Sequence, residues 1–155
     1  MKVTVLAVSQ RAARWVDDAV SDYVQRFPRD FVVSIELIRP EPRDHKTPAA
    51  ALFAEATRIR ARLPAGSLTV ALDEHGSNWT TGQFADALRD WRDRGESPAF
   101  VIGGADGLDP AFKREARLQL RLSSLTLPHA LARVLLVEQL YRAWSLLANH
   151  PYHRA

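Results

Sequence analysis

Asn149, His150, Tyr152, His153 and Arg154 crowd the carboxyl end of this chain with hydrogen-bonding, ring-bearing and cationic groups. Chain ends usually fray and carry little chemistry. A terminus this dense in polar side chains is expected to dock and to work. An imidazole titrates near neutral pH and can accept a proton. A guanidinium can hold a phosphate or a carbonyl oxygen gaining negative charge. His150 and His153 are no metal pair by their spacing. Pro151 interrupts any shared helical face, and no carboxylate or cysteine stands nearby to complete a ligand set.

Other constellations lie upstream. Ile102 to Leu108 reads IGGADGL, a glycine loop that lets the backbone turn and a ligand come close. It matches neither GxGxxG nor the phosphate loop ending in Lys-Ser/Thr, so taken alone it is a tight turn after a strand. Ser123, Ser124 and Thr126 alternate with Leu125 and Leu127. They suit a helix cap or a pocket lining. A triad of Ser123 or Ser124 with His129 and Asp73 is conceivable, but no nucleophile-elbow pattern supports it. At 100° per residue, Glu138, Gln139, Arg142 and Ser145 share one polar stripe of a helix that is otherwise very apolar. Glu138 and Arg142 form an i, i+4 pair. They suit a solvated pair or a pair at an interface or site equally well. Arg133 stands alone on the far side.

The elements that must position these residues alternate. Strands are predicted at Val3 to Val8, Phe31 to Ile38, Leu68 to Leu72, Phe100 to Ile102 and Leu118 to Leu122. Helices are predicted at Arg11 to Phe27, with Trp15, Ala19, Tyr23 and Phe27 at helical spacing, and at Ala49 to Leu63. Three more follow from Thr80 to about Gly95, around Pro110 to Arg117, and from His129 to Leu147. Asp73 to Asn78 reads as a polar loop. Short Val/Leu/Ile strands between helices indicate an α/β fold with a mainly parallel sheet. Ligands in such sheets sit beyond the carboxyl ends of the strands. Strand order alone therefore brings the loops at Leu72-Asp73, Gly103 and Ser123 to Pro128 to one site.

At 155 residues, 46% apolar and 25% charged, the chain suits one globular domain with no linker to divide it. It has no cysteine, which excludes disulfides, thiolate metal sites and thiol nucleophiles. MKVTVLAVS is too short and too β-branched for a secretion signal, and no apolar run is long enough to span a membrane. A soluble cytoplasmic protein is expected. The net charge of +3 is compatible with an RNA partner and argues against tight non-specific binding.

Together, MKVTVLAVS, the YxxRFP stretch at Tyr23 to Pro28, IGGADGL and LPHALARVLLVEQLYRAWSLLANHPYHR carry a resemblance over the whole chain. The sequence closely resembles the bacterial ribosomal large-subunit pseudouridine N3-methyltransferases, small single-domain members of the SPOUT class of RNA methyltransferases. The resemblance implies an α/β knot, with the carboxyl-terminal segment threaded into a trefoil, and a homodimer that uses S-adenosyl-L-methionine. Carried over by position, it implies cofactor contacts at Leu72, Gly103, Gly104, Leu122, Ser123, Ser124, Leu125, Thr126 and Leu127. It implies as substrate a pseudouridine in a 23S rRNA stem-loop of the assembled ribosome.

A sulfonium is already a good leaving group, so no metal is expected. The demand falls on the nucleophile, because an imide N3–H is poor until its proton leaves. His153 is the expected proton acceptor, Arg154 the expected partner of negative charge, and Tyr152 the group expected to stack on or hydrogen-bond to the base. Glu138 and Arg142 complete the expected catalytic set, and Arg133 is expected to reach across a dimer interface or into the site. Two other classes compete. A non-enzymatic ribosome-binding factor of the same fold would show no S-adenosylmethionine in a calorimetric titration. A nucleotide-binding oxidoreductase would need the GxGxxG that is missing here.

Overall fold

The computed structural model describes residues 1–10 and 13–154. Five strands, β1 (Lys2–Val8), β2 (Val32–Ile38), β3 (Leu68–Asn78), β4 (Pro98–Ile102) and β5 (Leu118–Arg121), form one sheet in the order β2-β1-β4-β3-β5, every pairing parallel. Parallel neighbours need crossovers, and helices supply them. These are α1 (Arg14–Arg26), α2 (Pro48–Arg62), α3 (Thr81–Asp93) and α4 (Pro110–Glu115), with α5 (His129–Leu147) after the last strand. The α/β sheet expected from the alternation is therefore the one observed.

Local chemistry explains the helix starts. Thr47 caps α2 through Ala50 N–H, with Pro48 at the first helical position. Thr80 and Gln83 close a capping box on α3, and Asp109 caps α4 through Phe112 N–H, ahead of Pro110. The α5 start has no side-chain cap.

Alternate strand residues feed two cores. Val5, Val70 and Phe100 point to one face and pack against Phe84 and Leu88 of α3 and Leu136 and Leu140 of α5. Leu6, Val101 and Ala71 point to the other, against Ala56 and Ile59 of α2 and Phe112 of α4. The result is three layers, with α1, α3 and α5 on one face and α2 and α4 on the other.

The structure corrects several expectations. The segment Asp73 to Asn78 is not a loop, because β3 continues through it after an irregularity between Leu72 and Ser77 and pairs again at Ser77–Leu120 and Asn78–Arg121. Gly76 makes this possible: a Cβ there would lie 2.7 Å from the backbone of Gln119. Trp15 does not belong to the buried stripe of α1. It is 57% exposed, and Val16 and Val20 are buried in its place. That helix is described from Arg14; its predicted start at Arg11 lies outside the described residues. Ser145, on the polar stripe of α5, is wholly buried, and its hydroxyl donates to the Arg142 carbonyl at 2.6 Å. Arg133 is buried within the protomer and donates to Asp17 of α1 at 3.3 Å. It is therefore held within the chain by Asp17. No described helix is long and apolar enough to cross a membrane.

Candidate functional site

Beyond the carboxyl ends of β4, β3 and β5, the loops enclose a cavity of about 650 Å³. That falls within the ~300–1,000 Å³ of small-molecule sites. Leu72, Gly103, Gly104, Leu122, Ser123, Leu125, Thr126 and Leu127 all line it. The convergence inferred from strand order is thus present. Ser124 is the exception. It is exposed in the same loop but is not among the lining residues. Leu125 lines the cavity and is still 74% exposed, which puts it at the mouth.

Gly103 is required by contact. A Cβ there would lie 2.4 Å from the Gly107 carbonyl oxygen, so the chain passes itself too closely for any side chain. Gly107 has φ +77° and donates its N–H to Gly104 at 3.1 Å, closing the turn. On the facing loop the Ser123 hydroxyl accepts the Leu125 N–H at 3.0 Å, which shapes that turn. Among the described residues no hydrogen bond joins Ser123, Ser124, His129 and Asp73, so the structure assembles no triad. Nor do the described residues gather three or more histidines and carboxylates into a metal-holding group.

The cavity also holds residues that motif reading missed. Lys113 donates to Asp73 at 3.1 Å, and Asp73 accepts the His75 N–H at 3.1 Å. Arg43 is the less expected participant. From the β2–α2 loop its Nε donates to Asp106 of the glycine loop at 3.0 Å, while its Nη1 donates to Glu55 of α2 at 2.7 Å. The Glu55 carboxylate holds the Arg43 guanidinium well above its ordinary pKa. Neighbouring Glu41 is bound by Lys46 and Arg58, and its carboxyl lies below the ordinary range, chiefly through the Lys46 hydrogen bond. The β2–α2 loop therefore braces the glycine turn. Replacing Arg43 with methionine should weaken ligand binding in the cavity by about three- to fivefold, the size of a half-exposed ion pair. Asp106→Asn should do the same, and the double variant should be no worse than either single one. Additive losses in a calorimetric titration would separate the two residues.

The tail forms its own unit at the far end of α5. Asn149 takes φ +51°, its N–H goes to Leu146, and the His150 N–H goes to Ser145 at 2.8 Å. This pair of bonds is the Schellman stop of α5, with asparagine in the left-handed position. Pro151–Arg154 then turns as a short 3-10 helix, η1. His150 packs on Trp144 with ring centroids 5.4 Å apart, and Tyr152 packs edge-on against Tyr141 at 4.7 Å.

Glu138 is the centre of this unit. It accepts from Arg142 Nε at 2.8 Å, from the Tyr152 hydroxyl at 3.1 Å and from Gln139 at 2.6 Å. Gln139 in turn accepts from Thr81 of α3. A carboxylate only accepts, so Tyr152 gives its single proton to Glu138 and takes its 3.1 Å bond to Tyr23 as acceptor. Burial, then the Tyr23 bond and the Glu138 charge, push the Tyr152 phenol well above its ordinary pKa. The Arg142 guanidinium lies 5.0 Å from the centre of the Tyr152 ring, and the Glu138 hydrogen bond raises its pKa. His153 Nδ1 is buried with no partner. The structure thus brings Glu138, Arg142 and Tyr152 together and places His153 and Arg154 beside them on η1. None of the five lines the cavity. The 19 residues of α5 between them span about 28 Å at ~1.5 Å per residue.

Comparison with known proteins gives one family and many relatives. The family model described as predicted SPOUT methyltransferase matches residues 1–153. A protein of Paracidovorax citrulli named ribosomal RNA large subunit methyltransferase H is 51% identical over 154 residues, covering 99% of each chain. Proteins of the same name from Bordetella petrii and Ralstonia nicotianae are 52% and 50% identical, covering 100% and 99% of each chain.

Proposed function

Because this chain belongs to the SPOUT methyltransferase family, we propose that it methylates N3 of a pseudouridine in a 23S rRNA stem-loop of the large ribosomal subunit. S-adenosyl-L-methionine is the methyl donor, and the enzyme acts as a cytoplasmic homodimer on assembled ribosomes. The observation that carries the reading is the convergence of the β3, β4 and β5 loops on one cavity, which Gly103 lines.

The cavity fits such a donor. Its volume suits a nucleoside-sized molecule. Leu72, Gly103, Gly104 and Leu122 to Leu127 would hold it, with Ser124 contributing only through its place in the loop. When bound, it supplies an electrophilic methyl group on a sulfonium. The threading of the carboxyl-terminal segment into a trefoil belongs to the same reading.

The protein's own contribution is proton removal, charge stabilisation and placement. Tyr152 is a neutral donor tied to Glu138, so it acts as an anchor and ring platform rather than as a base. Glu138 and Arg142 hold it there. His153 remains the proton acceptor of the reading, and Arg154, which is exposed, the group that meets a carbonyl or a phosphate. A tail a full helix away from its own cavity serves a partner's cavity instead. In a two-fold dimer each tail then completes the other subunit's site. Exposed Trp15 on α1 and half-buried Leu131, Val134 and Leu135 on neighbouring α5 supply apolar surface for that contact.

Methyl transfer from labelled donor to whole ribosomes, separated subunits and free rRNA tests the reading, with mapping of the modified base. Label is expected in the large subunit of whole ribosomes and poorly in naked rRNA. No donor binding and no incorporation into any of these would favour a non-enzymatic ribosome-binding factor.

A further inference from the structure

We propose that Arg121, the last residue of β5, is the carboxylate-binding group of the cavity and holds the amino-acid end of the methyl donor. The inference rests on the cofactor reading above and adds a residue that neither the sequence motifs nor the family resemblance singled out.

The charges around the cavity carry it. Two of the carboxylates lining the cavity already have a cation: Asp73 has Lys113 at 3.1 Å, and Asp106 has Arg43 at 3.0 Å. Lys113 and Arg121 are the lysine and arginine that line it. Lys113 is committed to Asp73. The Arg121 side chain has no hydrogen bond or ion pair among the described residues, and its Nε is buried without a partner. A half-buried guanidinium with nothing to donate to loses hydration and gains nothing in return. Such a group is retained at a cost unless an anion arrives.

Position explains why it has no partner. Arg121 pairs in register with Asn78 at the end of the extended β3, one residue before the loop that starts at Leu122. The same cavity is bordered by Pro128 and His129 at the start of α5, where no side chain caps the first-turn N–H groups. The positive end of that helix adds to the attraction for an anion. The planar fork of arginine suits the two oxygens of a carboxylate. A phosphate of the RNA offers similar oxygens, so the test must tell the two apart.

The test compares S-adenosylhomocysteine with 5′-methylthioadenosine, which keeps the adenosine and thioether but lacks the amino-acid end. Both are titrated calorimetrically into the full-length protein and into Arg121→Met and Arg121→Lys variants. Arg121→Met should lose about ten- to hundredfold in affinity for S-adenosylhomocysteine, the range of a lost charge-assisted bond. Its affinity for 5′-methylthioadenosine should stay within about twofold, which also shows that the variant is folded. Arg121→Lys should recover part of the loss. Unchanged S-adenosylhomocysteine binding with a raised KM for ribosomes would overturn the proposal in favour of an RNA phosphate. Equal weakening of both ligands would overturn it in favour of a purely structural arginine. If the unaltered protein bound neither ligand, the cofactor reading would fail first and the proposal with it.

Discussion

A chain ending at Asn149 should bind S-adenosylhomocysteine within about twofold of the full-length protein and lose methyl transfer to ribosomes by at least about a hundredfold. The two halves of that result have separate causes. The cavity is built by loops after β3, β4 and β5, and no residue of η1 lines it. The Schellman stop at Asn149 is also partly kept, because the Asn149 N–H still reaches Leu146. What disappears is the η1 unit, with Tyr152 on Glu138 and His153 and Arg154 beside it. His153→Ala alone should cost a similar order if the imidazole takes the N3 proton, and near-normal turnover would sink that role.

A mixed dimer extends the test. A tail-less chain combined with a chain whose cavity is filled by Leu72→Trp should regain activity, because one intact cavity then meets one intact tail across the interface. If each tail served its own cavity, that mixture would remain dead. The ~28 Å of helix between cavity and tail favours the first outcome.

The position of the cavity was legible in the sequence because it depends on strand order, and strand order in parallel sheets obeys strong rules. Leu72, Gly103 and Leu122 needed only the alternation of elements to be placed together. The α5 bounds were legible as well, since Pro128 and Asn149-His150-Pro151 punctuate both ends. The ion pairs were not. Arg43 meets Asp106 across 63 residues and Arg133 meets Asp17 across 116, and periodicity sees only neighbours three or four apart. Arg133 looked available for an interface because a charged residue on an apolar face has no local partner. The strand after Leu72 was hidden by its composition, as DEHGSN is rich in turn formers. It extends because the bare backbone of Gly76 can approach Gln119 and resume pairing beyond it. The burial of Ser145 was not legible either, because its hydroxyl is satisfied inside the protein by the carbonyl one turn back.

Gly103→Ala should abolish detectable S-adenosylhomocysteine binding and lower the thermal midpoint, whereas Gly104→Ala should leave the fold standing. The contrast lies in what each new methyl would meet. At Gly103 the methyl falls 2.4 Å from the Gly107 oxygen and 2.5 Å from its carbon, and both are main-chain atoms. Main chain cannot rotate aside, so either β4 or the Gly104–Gly107 turn must shift. Overpacking of this kind costs about 1–3 kcal/mol. In a domain of this size that corresponds to roughly 4–10 °C. The shift also moves the glycine loop away from the loop at Leu122 to Leu127, which closes the cavity from the other side. At Gly104 the nearest atom is a Val8 methyl at 3.4 Å, close to ordinary contact with a side chain that can adjust. A calorimetric titration paired with thermal unfolding reads both effects. If Gly103→Ala bound ligand as tightly as the unaltered chain, the close approach of Gly103 and Gly107 would not be what sets the cavity's shape.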